Sequence, residues 1–328
     1  MQPKLMLTDL DGTLLRDDKS LSPANRAALE AASAAGCQVV VATGRLLRAI
    51  PQALLDLPFL RYFILMNGAQ VLDRETGQVL YRCEIPLSTV QGVLMLVEPL
   101  DCTVDCFQNG RGIMARKYYD RLEYYIPDAV SRTMARHNRT PVDDLWTALQ
   151  AGGPTVQKIQ MYFPHLDLRP QVSALLHQEV PDLIQGISMP GNLELNASGA
   201  SKGIALRVLC QVLGIDPLDT IAFGDGTNDL SMLQAAGIGV AMSNAAPETR
   251  QEANLIAPSN QEDGVAQALG RWFLPLKPSF KKPRRRSFPP AAVFFSQNKR
   301  YGGPGQDRRI RVPNTITSGT WAGNSGTG

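Results

Sequence analysis

Two pairs of aspartates in this chain have the spacing of a phosphate-handling site. Asp9 and Asp11 stand one residue apart in "LMLTDLDGTLL", directly after an apolar run, and Asp225 and Asp229 stand far downstream in "GDGTND". Carboxylates beside buried residues are costly unless something pairs with them. An all-oxygen cluster with positions to spare suits Mg²⁺, which keeps waters and binds through one or two carboxylates plus a substrate phosphate. A carboxylate next to such an ion can attack phosphorus and form an aspartyl phosphate. A second acid two residues on can face the same site, protonate the leaving oxygen and then deprotonate the attacking water. Gly12 lets the chain turn sharply after Asp11 and is a candidate phosphate-binding residue. Thr43 offers a hydroxyl and Gly44 a backbone N–H to phosphate oxygens. Lys202 opens a helix in "SGASKG", where an ammonium and a helix N-terminus both oppose negative charge. A plain Asp-Gly turn would explain Asp9 and Asp11 alone; the distant "GDGTND" tips the reading to a site.

These residues need elements that bring them to one edge. Residues 4–10 read as a short buried strand ended by Asp11-Gly12. "SPANRAALEAASAAG" reads as a helix with Ser22 as N-cap, Pro23 at the first position and Gly36 as the stop. "CQVVVATGR" is a strand ending in Thr43-Gly44-Arg45, a helix is expected to start in Leu46–Leu55, and "YFILMNGAQVL" is a strand running into an Asn67-Gly68 turn. This β-α-β-α-β order predicts a doubly wound parallel sheet with helices on both faces. From about Leu80 to Gly191 the rhythm changes. Strand-like pieces such as "VQKIQMYFP" alternate with helical ones such as "PLSTVQGVLMLVEPL", which predicts an inserted α+β domain. The first rhythm returns with "SKGIALRVLCQVLG" and "TIAFGDGTND". In open parallel sheets the ligand crevice lies outside the carboxyl ends of the strands, so four strand exits carrying these residues converge there.

The residues and their order resemble the haloacid dehalogenase superfamily of phosphohydrolases. "DLDGTLL" is similar to its first motif, Thr43 in "VATGR" to its second, Lys202 to its third and "GDGTND" to its fourth. The long insert resembles the α/β cap of the Cof-type subfamily of sugar- and nucleotide-phosphate phosphatases. The resemblance covers roughly residues 4–272. It implies Asp9 as nucleophile and Asp11 as general acid/base. It implies Mg²⁺ held by Asp9, the backbone carbonyl of Asp11 and Asp225, with Asp229 in support. It further implies Thr43 and Lys202 on the phosphoryl group and Asn228 on substrate or phosphate. Arg45 is divided between a salt bridge and a substrate contact, Glu194 and Asn196 could end a strand facing the site but read first as structural, and the tyrosines of "KYYDRLEYY" read as helix packing.

The expected organisation is a core of residues 1–80 and 191–274, an inserted cap of 81–190 and a tail of 275–328. The tail from 277 holds eleven Lys/Arg and one acid, Asp307, so the rest of the chain has 22 basic and 29 acidic residues. An acidic body does not suit nucleic acid. The Pro-, Gly- and Arg-rich tail is expected to be disordered and non-catalytic, the alternative being a tether to anionic surfaces or nucleic acid. No apolar stretch reaches the roughly 18–20 residues of a membrane span. The N-terminus does not read as a secretory signal, and five scattered cysteines without Cys-x-x-Cys suggest reduced thiols in a cytoplasm. No Gly-x-x-x-x-Gly-Lys-Ser/Thr loop or Gly-x-Gly-x-x-Gly occurs, so P-loop and dinucleotide enzymes lack local support. The expected function is Mg²⁺-dependent hydrolysis of a small phosphorylated metabolite, sugar phosphates ahead. Transfer to another acceptor, as in a mutase, and a binding or regulatory role for the cap or tail are the alternatives.

Overall fold

A computed structural model describes residues 2–188 and 191–273. The chain enters through β1 (Leu5–Thr8), β2 (Gln38–Ala42), β3 (Tyr62–Leu65), β4 (Gln70–Asp73) and β5 (Gln78–Arg82). A short β6 (Ile85–Pro86) leads into β7 (Asp105–Gln108), β8 (Arg111–Ala115), β9 (Arg139–Val142), β10 (Thr155–Val156), β11 (Lys158–Tyr162), β12 (Leu183–Gly186) and β13 (Asn192–Ala197). It closes with β14 (Thr220–Gly224), β15 (Ile238–Met242) and β16 (Leu255–Ala257).

The first sheet has eight strands in the order β16-β15-β14-β1-β2-β3-β4-β5. From β16 to β3 neighbours run parallel, and β4 and β5 are added antiparallel. Parallel strands are buried on both faces, and β1 shows how four residues achieve this. Leu5 and Leu7 join the cluster with Leu206 and Leu209, whereas Met6 joins the one with Leu29 and Phe63. The helix Pro23–Ala34 starts where the sequence predicts. Ser22 Oγ accepts the Asn25 N–H at 3.0 Å, Pro23 supplies the first turn, and Gly36 leaves it at φ +84°.

The second sheet is β12-β13-β11-β7-β8-β9, with its own apolar cluster of residues such as Val90, Leu149, Ile159 and Leu176. The fold is therefore the expected α/β core with an inserted α+β layer.

One sequence expectation holds in shortened form and another changes. The helix expected to start in Leu46–Leu55 does so at Gln52, as a single turn, Gln52–Leu55, preceded by a 3₁₀ turn, Leu47–Ala49. Pro51 separates them: it lacks an N–H and drives Ile50 to an extended φ −77°, ψ 133°. The boundary expected at 190/191 falls one strand early. Asn192–Ala197 pairs antiparallel with both β11 and β12, so the second sheet runs to Ala197 before the chain returns. Its "LEL" alternation reads equally well in either sheet, and only pairing decides. "KYYDRLEYY" forms two one-turn helices whose Tyr118 and Tyr125 rings pack edge-on at 5.9 Å. The expectations for the basic tail lie outside the described residues. Among the described residues no helix is long and apolar enough to cross a membrane.

Candidate phosphoryl-transfer site

β1 lies between β14 and β2, where the strand order reverses, and the carboxyl ends of these three strands open on one crevice. Asp9 follows β1, with its N–H donating to the Phe223 carbonyl at 3.0 Å; Asp225 follows β14; Thr43 follows β2, with its N–H on the Ile64 carbonyl at 2.8 Å. Carboxylate oxygens of Asp9, Asp225 and Asp229 lie within 4.8 Å of one another. The Lys202 ammonium, fully buried, donates to Asp9 Oδ1 at 2.6 Å and Asp229 Oδ1 at 2.5 Å. It stands at the start of the helix Lys202–Leu213, which Ser201 caps by accepting the Ile204 N–H at 3.1 Å. Asp229 Oδ2 accepts the N–H groups of Asp225 and Gly226, both at 3.0 Å, so it also shapes the turn that carries Asp225.

The charge balance is uneven. Burial raises the Asp9 carboxyl well above its usual range; Lys202 opposes this, and Asp229, Asp225 and Asp11 add to it. Burial and then Asp229 push Asp225 up to about 7 against a 2.7 Å hydrogen bond from Thr13 and the charge of Lys202. Lys202 is disfavoured by burial, but Asp229 and Asp9 raise it and keep it charged. Fully ionised, the three carboxylates would carry more negative charge than one ammonium offsets, which is why two of them are pushed up. The cluster's all-oxygen donors fit a hard divalent cation.

Asp11 lies in the cleft but outside this cluster. Arg45 Nε and Nη2 donate to its two oxygens at 2.7 and 2.6 Å, and Lys19 adds a contact at 2.9 Å. Burial would raise this carboxyl, but Arg45 and then Lys19 outweigh it and hold it at about 2. The side chain of Asp11 is therefore no ligand of the cluster, and only its backbone carbonyl remains for that part. Arg45 is a salt-bridge residue in this conformation, and Asp11 has no other partner that the sequence foretold. Gly12, expected on phosphate, has a different constraint: φ is +78°, and a Cβ there would lie 2.3 Å from Asp225 Oδ2. Gly12→Ala is expected to lower stability by about 1–2 kcal/mol from the left-handed backbone alone. It is also expected to displace Asp225; urea unfolding checks the first effect.

A family model for haloacid dehalogenase-like hydrolases matches residues 6–269. The chain belongs to the haloacid dehalogenase-like hydrolases. It is 32% identical over 290 residues to the pyridoxal phosphate phosphatase YbhA of Escherichia coli, covering 82% of this chain and 98% of that protein. It is 29% identical over 271 residues to the 5-amino-6-(5-phospho-D-ribitylamino)uracil phosphatase YcsE of Bacillus subtilis, covering 83% and 96%. A solved haloacid dehalogenase-like hydrolase from B. subtilis superposes with a TM-score of 0.70 at 29% identity, covering 81% of this chain and 98% of that one. The chain is a phosphatase of the Cof type.

In this haloacid dehalogenase-like hydrolase the second sheet roofs the carboxylates as a cap, enclosing a cavity of about 180 Å³. Thr43, Gly44 and Asn228 line it from the core, and Phe107, Lys158 and Glu194 from the cap. Thr43 Oγ1 accepts the Arg45 N–H at 3.2 Å. Asn228 Nδ2 donates to Asn67 Oδ1 at 3.2 Å, so it is held by a core side chain beside the cavity. Sequence reading missed Lys158 and Asn138, and ranked a structural role for Glu194 ahead of the site-facing one it also allowed. Lys158 sits in an ordinary strand pattern, and nothing local marks it. Asn138 has a buried Oδ1 without a hydrogen-bond partner on the cavity wall, visible only once the helix Ala129–Asn138 is placed.

Proposed function

We propose that this phosphatase hydrolyses a small phosphate monoester in a Mg²⁺-dependent reaction through an aspartyl phosphate on Asp9. The observation that carries this reading is the set of buried Asp9, Asp229 and Lys202 with half-buried Asp225 at the strand-order reversal, closed over by the cap. Asp9, Asp225 and the Asp11 carbonyl would hold Mg²⁺, with Asp229 in support. Bound there, the ion supplies positive charge against the phosphoryl oxygens.

Lys202 engages Asp9 Oδ1; among the described residues no protein donor engages Oδ2. Asp9 Oδ2 attacks phosphorus as the bond to the leaving oxygen breaks, and Asp11 delivers a proton to that oxygen. Asp11 then takes a proton from the water that attacks the aspartyl phosphate, freeing phosphate and restoring Asp9. For the first step Arg45 must release at least one Asp11 oxygen, and the freed carboxylate must take up a proton from solvent before it can give one to the leaving oxygen, since the pair holds it ionised. Lys202, Thr43 and the Gly44 N–H hold the phosphoryl group, and the cap keeps bulk water out.

The cavity is smaller than the roughly 300 Å³ at which drug-sized sites begin, which suits a compact metabolite. Both buried cap cations already have carboxylate partners: Arg139 with Asp105 at 2.8 Å and Lys158 with Glu194 at 2.9 Å. The wall that meets the leaving group is therefore charge-balanced, with polar groups such as Asn138, Gln160 and Ser188 to bind hydroxyls. This favours a neutral, hydroxyl-bearing leaving group, with sugar phosphates ahead. Phosphate release from a panel of sugar phosphates, pyridoxal phosphate and 5-amino-6-(5-phospho-D-ribitylamino)uracil, with and without Mg²⁺, tests the reading. Release that needs Mg²⁺ supports it, and substrate loss with conserved phosphoester would indicate transfer instead. Analogues with a second phosphate on the leaving group are expected to lose about tenfold in kcat/KM, on the order of 1.4 kcal/mol. Equal turnover of mono- and bisphosphates would count against the balanced wall.

A further inference from the structure

Each of the three carbonyls of the loop Thr43–Gly44–Arg45 has a donor. Asn67 N–H takes the Thr43 carbonyl at 3.1 Å and Met66 N–H takes that of Arg45 at 3.3 Å, both from the core turn after β3. The middle carbonyl, Gly44, is taken by the cap: Lys158 Nζ donates to it at 2.8 Å. Lys158 opens β11 and is almost fully buried, with its ammonium also on Glu194 Oε1 at 2.9 Å and 4.7 Å from the Phe107 ring centroid. Glu194, on the neighbouring β13, reaches the core with its other oxygen, accepting Asn67 Nδ2 at 2.6 Å. Asn67, held at φ +58°, in turn accepts from Asn228.

A peptide unit is planar, so holding its carbonyl also aims its N–H. The peptide that Lys158 holds joins Gly44 to Arg45, and its N–H is the donor to Thr43 Oγ1 at 3.2 Å. With that lone pair engaged, the Thr43 hydroxyl proton is left for a phosphoryl oxygen. The loop packs closely on Asn67: a Cβ at Gly44 would lie 2.8 Å from Asn67 Oδ1.

We propose that Lys158, a cap residue, is a positioning residue for the phosphoryl-binding loop, fixing the Gly44–Arg45 peptide and through it the Thr43 hydroxyl when the cap is seated. The proposal rests on the reading of Thr43 and Gly44 as phosphoryl ligands. It makes cap seating a condition for phosphate binding as well as for leaving-group choice: lifting the cap takes Lys158 and Glu194 away together as a pair, and leaves the Gly44 carbonyl and Asn67 without them.

The test compares wild type with Lys158→Met and with the double variant Lys158→Met/Glu194→Gln. The double variant leaves no unpaired buried charge, so it folds where the single one fails. Turnover is measured on p-nitrophenyl phosphate, whose leaving group has no hydroxyls for the cap wall, and on the best metabolite. Orthophosphate binding in Mg²⁺ is measured by calorimetry. A positioning role is expected to lower kcat/KM about 10–100-fold on both substrates, the range of one or two lost loop contacts, and to weaken orthophosphate by a similar factor. Unchanged orthophosphate affinity, or a loss confined to the metabolite, would overturn the proposal and make Lys158 a leaving-group contact or a packing residue. An Asp9→Asn control separates the two claims. Phosphate release that persists in it removes the aspartyl-phosphate reading, while the orthophosphate comparison still decides for or against Lys158.

Discussion

Asp9→Asn is expected to lower phosphate release on the order of 10⁴-fold, the scale of a lost nucleophile in enzymes that act through a covalent intermediate. Asparagine preserves the shape of Asp9 and its backbone bond to the Phe223 carbonyl. It removes the attacking charge. The fold is expected to persist: burial already disfavours the Asp9 charge, and Lys202 keeps a second partner in Asp229. The measurement is kcat at saturating Mg²⁺, which excludes weaker ion binding as the cause, beside a thermal melt. Turnover within tenfold of wild type would rule out a phosphoryl group carried on Asp9.

Lys202→Met is expected to reduce both activity and stability. From the sequence, Lys202 is one electrostatic contributor to phosphoryl binding, a loss of about 3–4 kcal/mol by analogy with a missing oxyanion donor. The structure adds a second effect. The ammonium is completely buried between two carboxylates at 2.6 and 2.5 Å, and its removal strands both. Breaking a buried pair from one side typically costs about 3–5 kcal/mol. Mg²⁺ is expected to restore part of this, because an ion bound only by the folded chain stabilises it by mass action. Urea unfolding with and without Mg²⁺ reads both effects. A variant as stable as wild type would mean that the acidic cluster does not depend on Lys202 for its charge balance.

The legible part of the site is the part written locally. Asp9, Asp225 and Lys202 each follow or open an element whose pattern is plain: a short apolar strand, a second one ending in Gly-Asp-Gly, and a helix capped by Ser201. Their convergence follows from the handedness and order of parallel β-α-β units. The existence of the short core strands, though not their exact ends, and the Ser22–Pro23 helix start were readable for the same reason. The departures have equally specific causes. Pro51 holds the helix start in Leu46–Leu55 back to Gln52. β13 reads as the start of the returning core because alternation names a strand without naming its neighbours.

Side-chain direction was not legible either. Asp11 stands two residues from Asp9, yet its carboxylate turns to Arg45, 34 positions away, and leaves the cluster that the spacing suggested. Lys158 reaches Gly44 across 114 positions, and Glu194 reaches Asn67 across 127. By itself the sequence determined which residue types carry the chemistry, their order, and the strand ends that bear them, because backbone propensity and turn chemistry act over a few residues. The tertiary structure decided which carboxylates share a site, which one Arg45 holds, and how the cap grips the Thr43–Arg45 loop. Those choices depend on how two separately packed sheets seat against each other, and burial then forces every polar group caught between them to find its partner.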